Sequence, residues 1–250
     1  YDFQSDTYSL IALNPNQGTE YLEYSEGNKI ITNSTYFESA IDYNKTVKEK
    51  HEISGMLIGI MRELKYANAG NLQSSLPFRN LGLSGRFTYA FDGKYFSEFN
   101  FGYNGSERFA KNERFGFFPS FGLGWYTSKE NFMKPISDIL SKLKFKATYG
   151  LVGNDQIGSS DDRFFYISQV NLNNGAMGAP FGQEFGNYIN GVSINRYANN
   201  QITWEKAEML NLGVEIGLID QIEIQADYFT ETRTNILMDR AQVPSTMGLQ

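Results

Sequence analysis

Apolar and polar residues alternate one for one along segment after segment of this chain. That period of two fits pleated strands with one greasy and one wet face and does not fit packed helices. Phe87 and Tyr89 alternate with Arg86, Thr88 and Ala90, and Tyr95, Phe99, Phe101 and Tyr103 stand against Glu98, Asn100 and Gly102. Phe121, Leu123 and Trp125 oppose Ser120, Gly122 and Gly124, and the run Leu143, Phe145, Ala147, Tyr149, Leu151 opposes Lys144, Lys146, Thr148 and Gly150. Leu210 to Leu218 and Ile222 to Tyr228 repeat the pattern, with Glu215, Glu223, Gln225 and Asp227 on the wet side. Phe37 to Tyr43 alternates as well, and His51 to Arg62 reads as a strand whose facing is left open. Eight strands are expected, with a ninth candidate near Tyr8 to Leu13.

The links carry a second regularity. They are short at Asn44 to Lys50, Asp92-Gly93 and Ile219 to Gln221, and long at Glu63 to Asn80, Asn104 to Arg114, Gly153 to Asn200 and from Asn235 onward. The intermediate link, Ser128 to Ser141, has helix-like spacing at Phe132, Ile136, Ile139 and Leu140 and is expected to form a helical turn. A three-residue turn at Phe91-Asp92-Gly93 with Gly93 left-handed sets Tyr89 against Tyr95 and Arg86 against Glu98. One at Ile219 to Gln221 sets Leu218, Ile216 and Leu212 against Ile222, Ile224 and Tyr228. Both preserve the greasy face.

No stretch approaches the roughly 20 apolar residues of a spanning helix, but a spanning strand shows lipid only its alternate residues and so hides from hydropathy. Sixteen Tyr, 20 Phe and 24 Gly suit strands and turns. Aromatic residues stand at the strand ends, Tyr95 and Trp125 toward the short turns and Tyr103 and Phe117 toward the long loops, as interface girdles do. The expected fold is all-β: an antiparallel transmembrane β-barrel segment in an outer membrane, against a soluble sandwich or lipocalin-like barrel as the alternative. Because the pattern is under way at both ends of the chain, a slice of a larger barrel is expected, residues 1–250 forming part of one barrel domain.

Chemistry of other kinds finds little footing. The net charge of −6, with no Lys/Arg run, excludes a nucleic-acid stripe, and zero cysteines exclude thiol chemistry and disulfides. No phosphate-cradling glycine pattern occurs, Gly122 and Gly124 reading as places of close backbone approach or bending, and no cofactor is expected. The single His51 sits beside a short turn and reads as a solvated turn residue, so no enzymatic centre is expected. Arg86, Glu98, Lys144, Lys146, Glu215, Glu223 and Asp227 read as an inward ion-pair and hydrogen-bond lattice. The long loops offer ligand candidates by residue type: Asp161-Asp162 near Tyr166, suited to a cation or a sugar hydroxyl, and Asn154, Tyr188, Asn190 and Tyr197, suited to hydrogen bonding and stacking.

Several motifs in order resemble a known family. Phe78-Arg-Asn-Leu-Gly-Leu-Ser-Gly-Arg-Phe-Thr-Tyr-Ala-Phe-Asp-Gly-Lys-Tyr95 is similar to a strand-turn-strand of SusC/RagA-type TonB-dependent outer-membrane transporters of Bacteroidetes. So are Gly105-Ser-Glu-Arg-Phe109, Arg114 to Trp125, Leu143 to Asn154 with Gln156-Ile-Gly158, Ile202-Thr-Trp-Glu205, Asn211-Leu-Gly213, Asp227-Tyr-Phe229 and Pro244-Ser-Thr246. The resemblance runs from about Glu52 onward. It implies a plugged barrel of roughly 22 strands that imports a glycan or peptide when an inner-membrane TonB complex pulls on the plug, with a SusD-like surface lipoprotein over the outer mouth. The plug and the terminal strands are not among these residues, and the readings left beside this one are a non-transporting outer-membrane adhesin or structural barrel and a soluble carbohydrate-binding β-protein.

Overall fold

The structure is a computed structural model that describes residues 1–10, 27–158 and 163–238. The chain divides into two compact units, 1–30 and 31–250. In the first, Asp2 and Thr7 form a single bridge and the Tyr1 ring lies 4.9 Å from Phe3 and 4.7 Å from Tyr8. Tyr8 to Leu10 form no strand, and the rest of the ninth candidate lies outside the described residues.

The second unit is built on one eight-stranded antiparallel sheet. Its strands are β1 (Thr32–Val47), β2 (His51–Tyr66), β3 (Phe78–Phe91), β4 (Tyr95–Ser106), β5 (Phe115–Tyr126), β6 (Leu140–Asn154), β9 (Glu205–Leu218) and β10 (Ile222–Thr234), neighbours in that order. β7 (Gln169–Phe181) and β8 (Asn187–Arg196) form a separate two-stranded ribbon inside the longest link. The sequence reading treats that whole link as loop, because Asn and Gly interrupt its alternation. The link after β5 forms two 3-10 turns, Thr127–Lys129 and Asn131–Ile136.

Register decides which side chains share a surface, since each strand turns successive residues to opposite faces. One continuous row crosses six pairings: Tyr43, Gly55, Phe87, Phe99, Phe121, Tyr149, Leu210. The row at the short-turn end runs Val47, His51, Phe91, Tyr95, Trp125, Phe145, Val214. Toward the long loops, Phe37, Met61, Leu81, Gly105 and Phe115 form the last apolar row. The open facing of β2 is thereby settled, with His51, Ile53, Leu57 and Met61 on the greasy side.

From Leu81 to Phe91 is ten residue steps. At about 3.4 Å per residue and a strand tilt of about 40°, the apolar band is about 25 Å tall, the height of the lipid-facing band of outer-membrane barrels.

The hairpin β9–β10 has the expected register, with Leu218 opposite Ile222, Ile216 opposite Ile224 and Leu212 opposite Tyr228. In β3–β4 the turn is Asp92-Gly93-Lys94, so Phe91 pairs with Tyr95, Tyr89 with Ser97 and Arg86 with Asn100. The expected Tyr89–Tyr95 and Arg86–Glu98 pairings are therefore shifted by two residues. A shift of two keeps parity, and every greasy residue stays on its face.

Each three-residue turn places its first two residues at positive φ: Lys48 and Glu49, Asp92 and Gly93, Ile219 and Asp220. For a β-branched residue this is strained, because its Cβ crowds the following carbonyl. Ile219 (φ 54°) carries that strain on an exposed side chain. Replacing it by Gly is expected to stabilise the folded protein by about 1 kcal/mol, read as a higher denaturation midpoint; a lower midpoint would show that the Ile219 side chain contributes more than its strain costs.

Candidate functional site

The wet face of the sheet is a polar wall. A hollow of about 880 Å³ on this side is lined by Asn44, Ser54, Thr88, Glu98, Lys146 and Thr148 among others, from seven adjacent strands. The charges on the wall form two groups. Arg86 Nη2 donates to Glu98 at 2.9 Å, and Asn100 Nδ2 reaches the other oxygen of Glu98 at 2.8 Å. Glu215 sits between Lys146 at 2.7 Å and Lys142 at 3.0 Å, and Lys142 also lies 3.7 Å from Glu223. Asp227 accepts from Gln225 at 2.7 Å. Lys144 has a different partner from the lattice expectation, standing 5.3 Å over the Phe96 ring.

Glycine placement serves this wall, though not at the expected positions. A Cβ on Gly122 or Gly124 would meet only ordinary contacts, 3.4 Å or longer, so neither is a place of close approach. At Gly213 it would lie 2.4 Å from Asp227 Oδ1 and 3.1 Å from Lys146 Cε. Gly213 pairs with both residues, so its missing side chain is the space into which they reach from the strands on either side.

At the long-loop end the wall is capped. Ser120 to Tyr126 of β5 pair with β6, and the ladder stops at Pro119, which has no N–H to give. Above that point the Phe118 ring lies against Gly153, where an added Cβ would come within 2.0 Å of it. Phe118 joins Phe109, Ile157 and Trp204 in a small buried core, with ring centroids of Phe109 and Phe118 each 5.2 Å from Trp204. The indole Nε1 of Trp204 donates to the Arg114 carbonyl at 3.1 Å.

A second anchor is Arg163, which is fully buried. Its Nη2 donates to the carbonyls of Gln73, at 2.8 Å, and Leu76. Its guanidinium carbon lies 3.1 Å from the centroid of Phe78 and 4.3 Å from that of Phe164. Burial pushes its pKa down to about 10, so the group keeps its charge at neutral pH and is held by carbonyl dipoles and ring faces. Gln73 belongs to α1 (Leu72–Ser75), a single turn capped by Asn71, and its Oε1 accepts from the backbone N–H of Arg163 (2.9 Å) and Phe164 (3.2 Å). The loops after β2 and β6 are thus joined through two buried side chains, Gln73 and Arg163.

The structure sorts the ligand candidates into three places. Asn154 ends β6 and donates to Glu205 at 3.1 Å, next to the Asn80–Asp155 hydrogen bond of 3.0 Å. Tyr166 is half-buried in the cap, its hydroxyl on the Glu107 carbonyl at 3.1 Å. Tyr188 and Asn190 lie on the ribbon, bonded to Gly175 O (2.6 Å) and Asn173 Oδ1 (2.7 Å), and exposed Tyr197 follows it. Asp161 and Asp162 lie outside the described residues.

Sequence reasoning missed Asn80, Glu205, Lys142 and Gln73. The first three lie on the inward alternation within β3, β9 and β6, beyond the segments read as alternating in the sequence, and that signal was present; Gln73 left none. His51 is half-buried in the greasy end row, with Nδ1 2.8 Å from the Tyr89 hydroxyl and its ring 4.9 Å from Phe91, and is no solvated turn residue. Among the described residues no group of three or more His, Asp or Glu is placed to hold a metal ion.

A sheet with one apolar band, one charged wall and a loop cap at one end is a segment of an antiparallel β-barrel wall. Comparison with known proteins gives it relatives, and the resemblance carried by the ordered motifs is borne out. The chain is 28 % identical over 233 residues to TonB-dependent receptor P3 of Formosa agariphila, covering 84 % of this chain and 22 % of that protein. It is 29 % identical over 184 residues to TonB-dependent receptor SusC of Bacteroides thetaiotaomicron, covering 74 % of this chain and 16 % of SusC. Among solved structures it is similar to the RagAB peptide transporter, with TM-score 0.67 and 23 % identity over 88 % of this chain and 25 % of that one. No family model matches. The chain spans less than a quarter of the length of these curated relatives.

Removing the Gln73 side chain leaves two buried N–H groups without acceptors, at about 1–3 kcal/mol each. Gln73→Ala is expected to speed hydrogen exchange at the Arg163 and Phe164 amides by about 30-fold or more and to leave β3–β5 unchanged; unchanged exchange at both amides would show that the cap does not hang on this residue.

Proposed function

We propose that this chain is part of the barrel domain of a SusC-like TonB-dependent importer in the outer membrane of a Gram-negative bacterium. The apolar band lies in hydrocarbon, the polar wall lines the passage, the short turns face the periplasm and the cap faces outside. The remaining strands and the plug belong to the rest of the protein. A TonB complex acts on that plug, and a SusD-like lipoprotein covers the outer mouth. The cargo is a nutrient of the glycan or peptide class, met first at the long-loop end by the Asn154 and Glu205 cluster, by Tyr188 and Asn190 on the ribbon and by Tyr197 after it; Asp161 and Asp162, between β6 and β7 in the sequence, are further candidates by residue type.

The observation that carries this reading is the band. Phe87, Phe99, Phe121 and Tyr149 share one row and are 52, 40, 48 and 49 % exposed. A soluble sandwich buries such a row under a second sheet. Here about 25 Å of aromatic and aliphatic surface faces outward, and hydrocarbon is the solvent that suits it. The opposite face also fits a filled passage, since Met56, Ile58 and Ile60 of β2 interrupt its polarity with a patch that protein inside the barrel would cover.

A charge at mid-band is the direct test. In the full-length protein, Phe99→Arg is expected to cost about 2–4 kcal/mol and to abolish heat-modifiable migration and energised uptake. Thr88→Arg, at a neighbouring depth on the opposite face and across from Glu98, is expected to be tolerated. Equal tolerance of both would remove lipid from the account. Uptake of labelled oligosaccharide against labelled oligopeptide, each with and without a protonophore, assigns the cargo class.

A further inference from the structure

The two edges of the apolar band are chemically different. At the short-turn edge the girdle aromatics are tied to a carboxylate: Tyr95 donates to Glu130 at 2.6 Å and Trp125 Nε1 to the same oxygen at 3.3 Å. At the long-loop edge the last apolar row gives way within one step to Glu63 and Arg79, paired across β2 and β3, with Glu107 following β4. Arg79 bridges Glu63, at 2.5 Å through Nε, and Glu107, at 3.6 Å through Nη1. Arg114 reaches Glu107 at 3.6 Å, and Lys65 completes the group on Glu63. Three cations face two carboxylates, a surplus of one positive charge.

A cleft of about 380 Å³ lies between these charges and the band, lined by Met61, Leu81 and Phe115 below and by Arg79, Arg114 and Glu107 above. Its apolar wall is built: the Phe115 ring lies over Gly105, where a Cβ would come within 2.5 Å of it, and stacks on Tyr103 at 5.2 Å and 14°. Leu83, Tyr103 and Phe117 form the next row down, so this wall continues into the band.

We propose that this cleft seats the phosphate-bearing head of an outer-leaflet glycolipid, the phosphate between Arg79 and Arg114, with Lys65 on Glu63 adding to the positive charge beside the cleft, and the acyl chains against Leu81, Leu83, Phe115 and Phe117. The inference rests on the barrel reading above. The surplus cation selects an anion, and a guanidinium offers five N–H donors, of which the carboxylates engage those on Nε and Nη1 of Arg79. The apolar floor selects an amphiphile over a free ion, because a small anion leaves Met61, Leu81 and Phe115 in water.

Native mass spectrometry of the full-length protein, extracted in detergent and stripped of lipid, tests this with lipid A carrying one phosphate as the probe. Phosphatidylethanolamine and inorganic phosphate serve as controls. Arg79→Gln and Arg114→Gln are each expected to weaken binding of the probe about tenfold, and Glu107→Gln to tighten it severalfold. A purely structural ion-pair network predicts the same sign for all three, so weakening by all three, or no change in any, overturns the proposal. Equal binding of inorganic phosphate, or equal retention of phosphatidylethanolamine, also overturns it. Heat-modifiable migration of every variant reports folding separately. Failure of the wild type to show it removes the barrel reading itself, whereas folded protein that does not discriminate the probe removes this inference alone.

Discussion

In the proposed membrane setting a backbone amide has no partner except another strand, and the rest of this structure is consistent with meeting that requirement with one greasy face throughout. From β1 to β10 each pairing in the large sheet keeps the greasy residues on one side, odd-numbered in β1 to β6 and even-numbered in β9 and β10, across turns and long links alike. A one-residue error in any link would put Lys146 or Asp227 into the apolar face. The strained turns are consistent with this: a positive φ at Ile219 costs less than a flipped strand.

Fixing the parity divides the strand into three zones with different physics. In the band, the proposed function has side chains contribute by matching an apolar solvent. On the wall, charges stand close together and are satisfied mutually, with Glu215 shared by two lysines and Gly213 leaving room for their neighbours. Above Pro119 the β5–β6 ladder opens, and packing takes over: Phe118, Phe109, Ile157 and Trp204 make the small core that a single sheet otherwise lacks. Arg163 is kept there because carbonyls and ring faces replace the water it loses.

The strands were legible because their alternation is strict, and the β9–β10 register because its turn admits one length that keeps Leu212 beside Tyr228. The β3–β4 register was not, since loops differing by two residues give the same parity, and only geometry chose Asp92 to Lys94 as the turn. The ribbon β7–β8 escaped because Asn and Gly break its pattern and its register carries several bulges. Of the candidate site, the wall charges announced themselves by their period, whereas the cap did not. Gln73 and Arg163 are ninety residues apart, and nothing in local sequence marks a lone arginine as buried.

The central claim is that the greasy positions, odd in β1 to β6 and even in β9 and β10, meet lipid while the positions between them meet an enclosed aqueous passage, and spin-label accessibility measures this residue by residue. Nitroxides placed singly from Ser97 to Tyr103 in the reconstituted full-length protein should alternate with period two. Phe99 and Phe101 should be accessible to oxygen, and Glu98 and Asn100 to a water-soluble nickel chelate. Oxygen and chelate accessibilities that rise and fall together along β4, or a Phe99 shielded from both, would contradict the account.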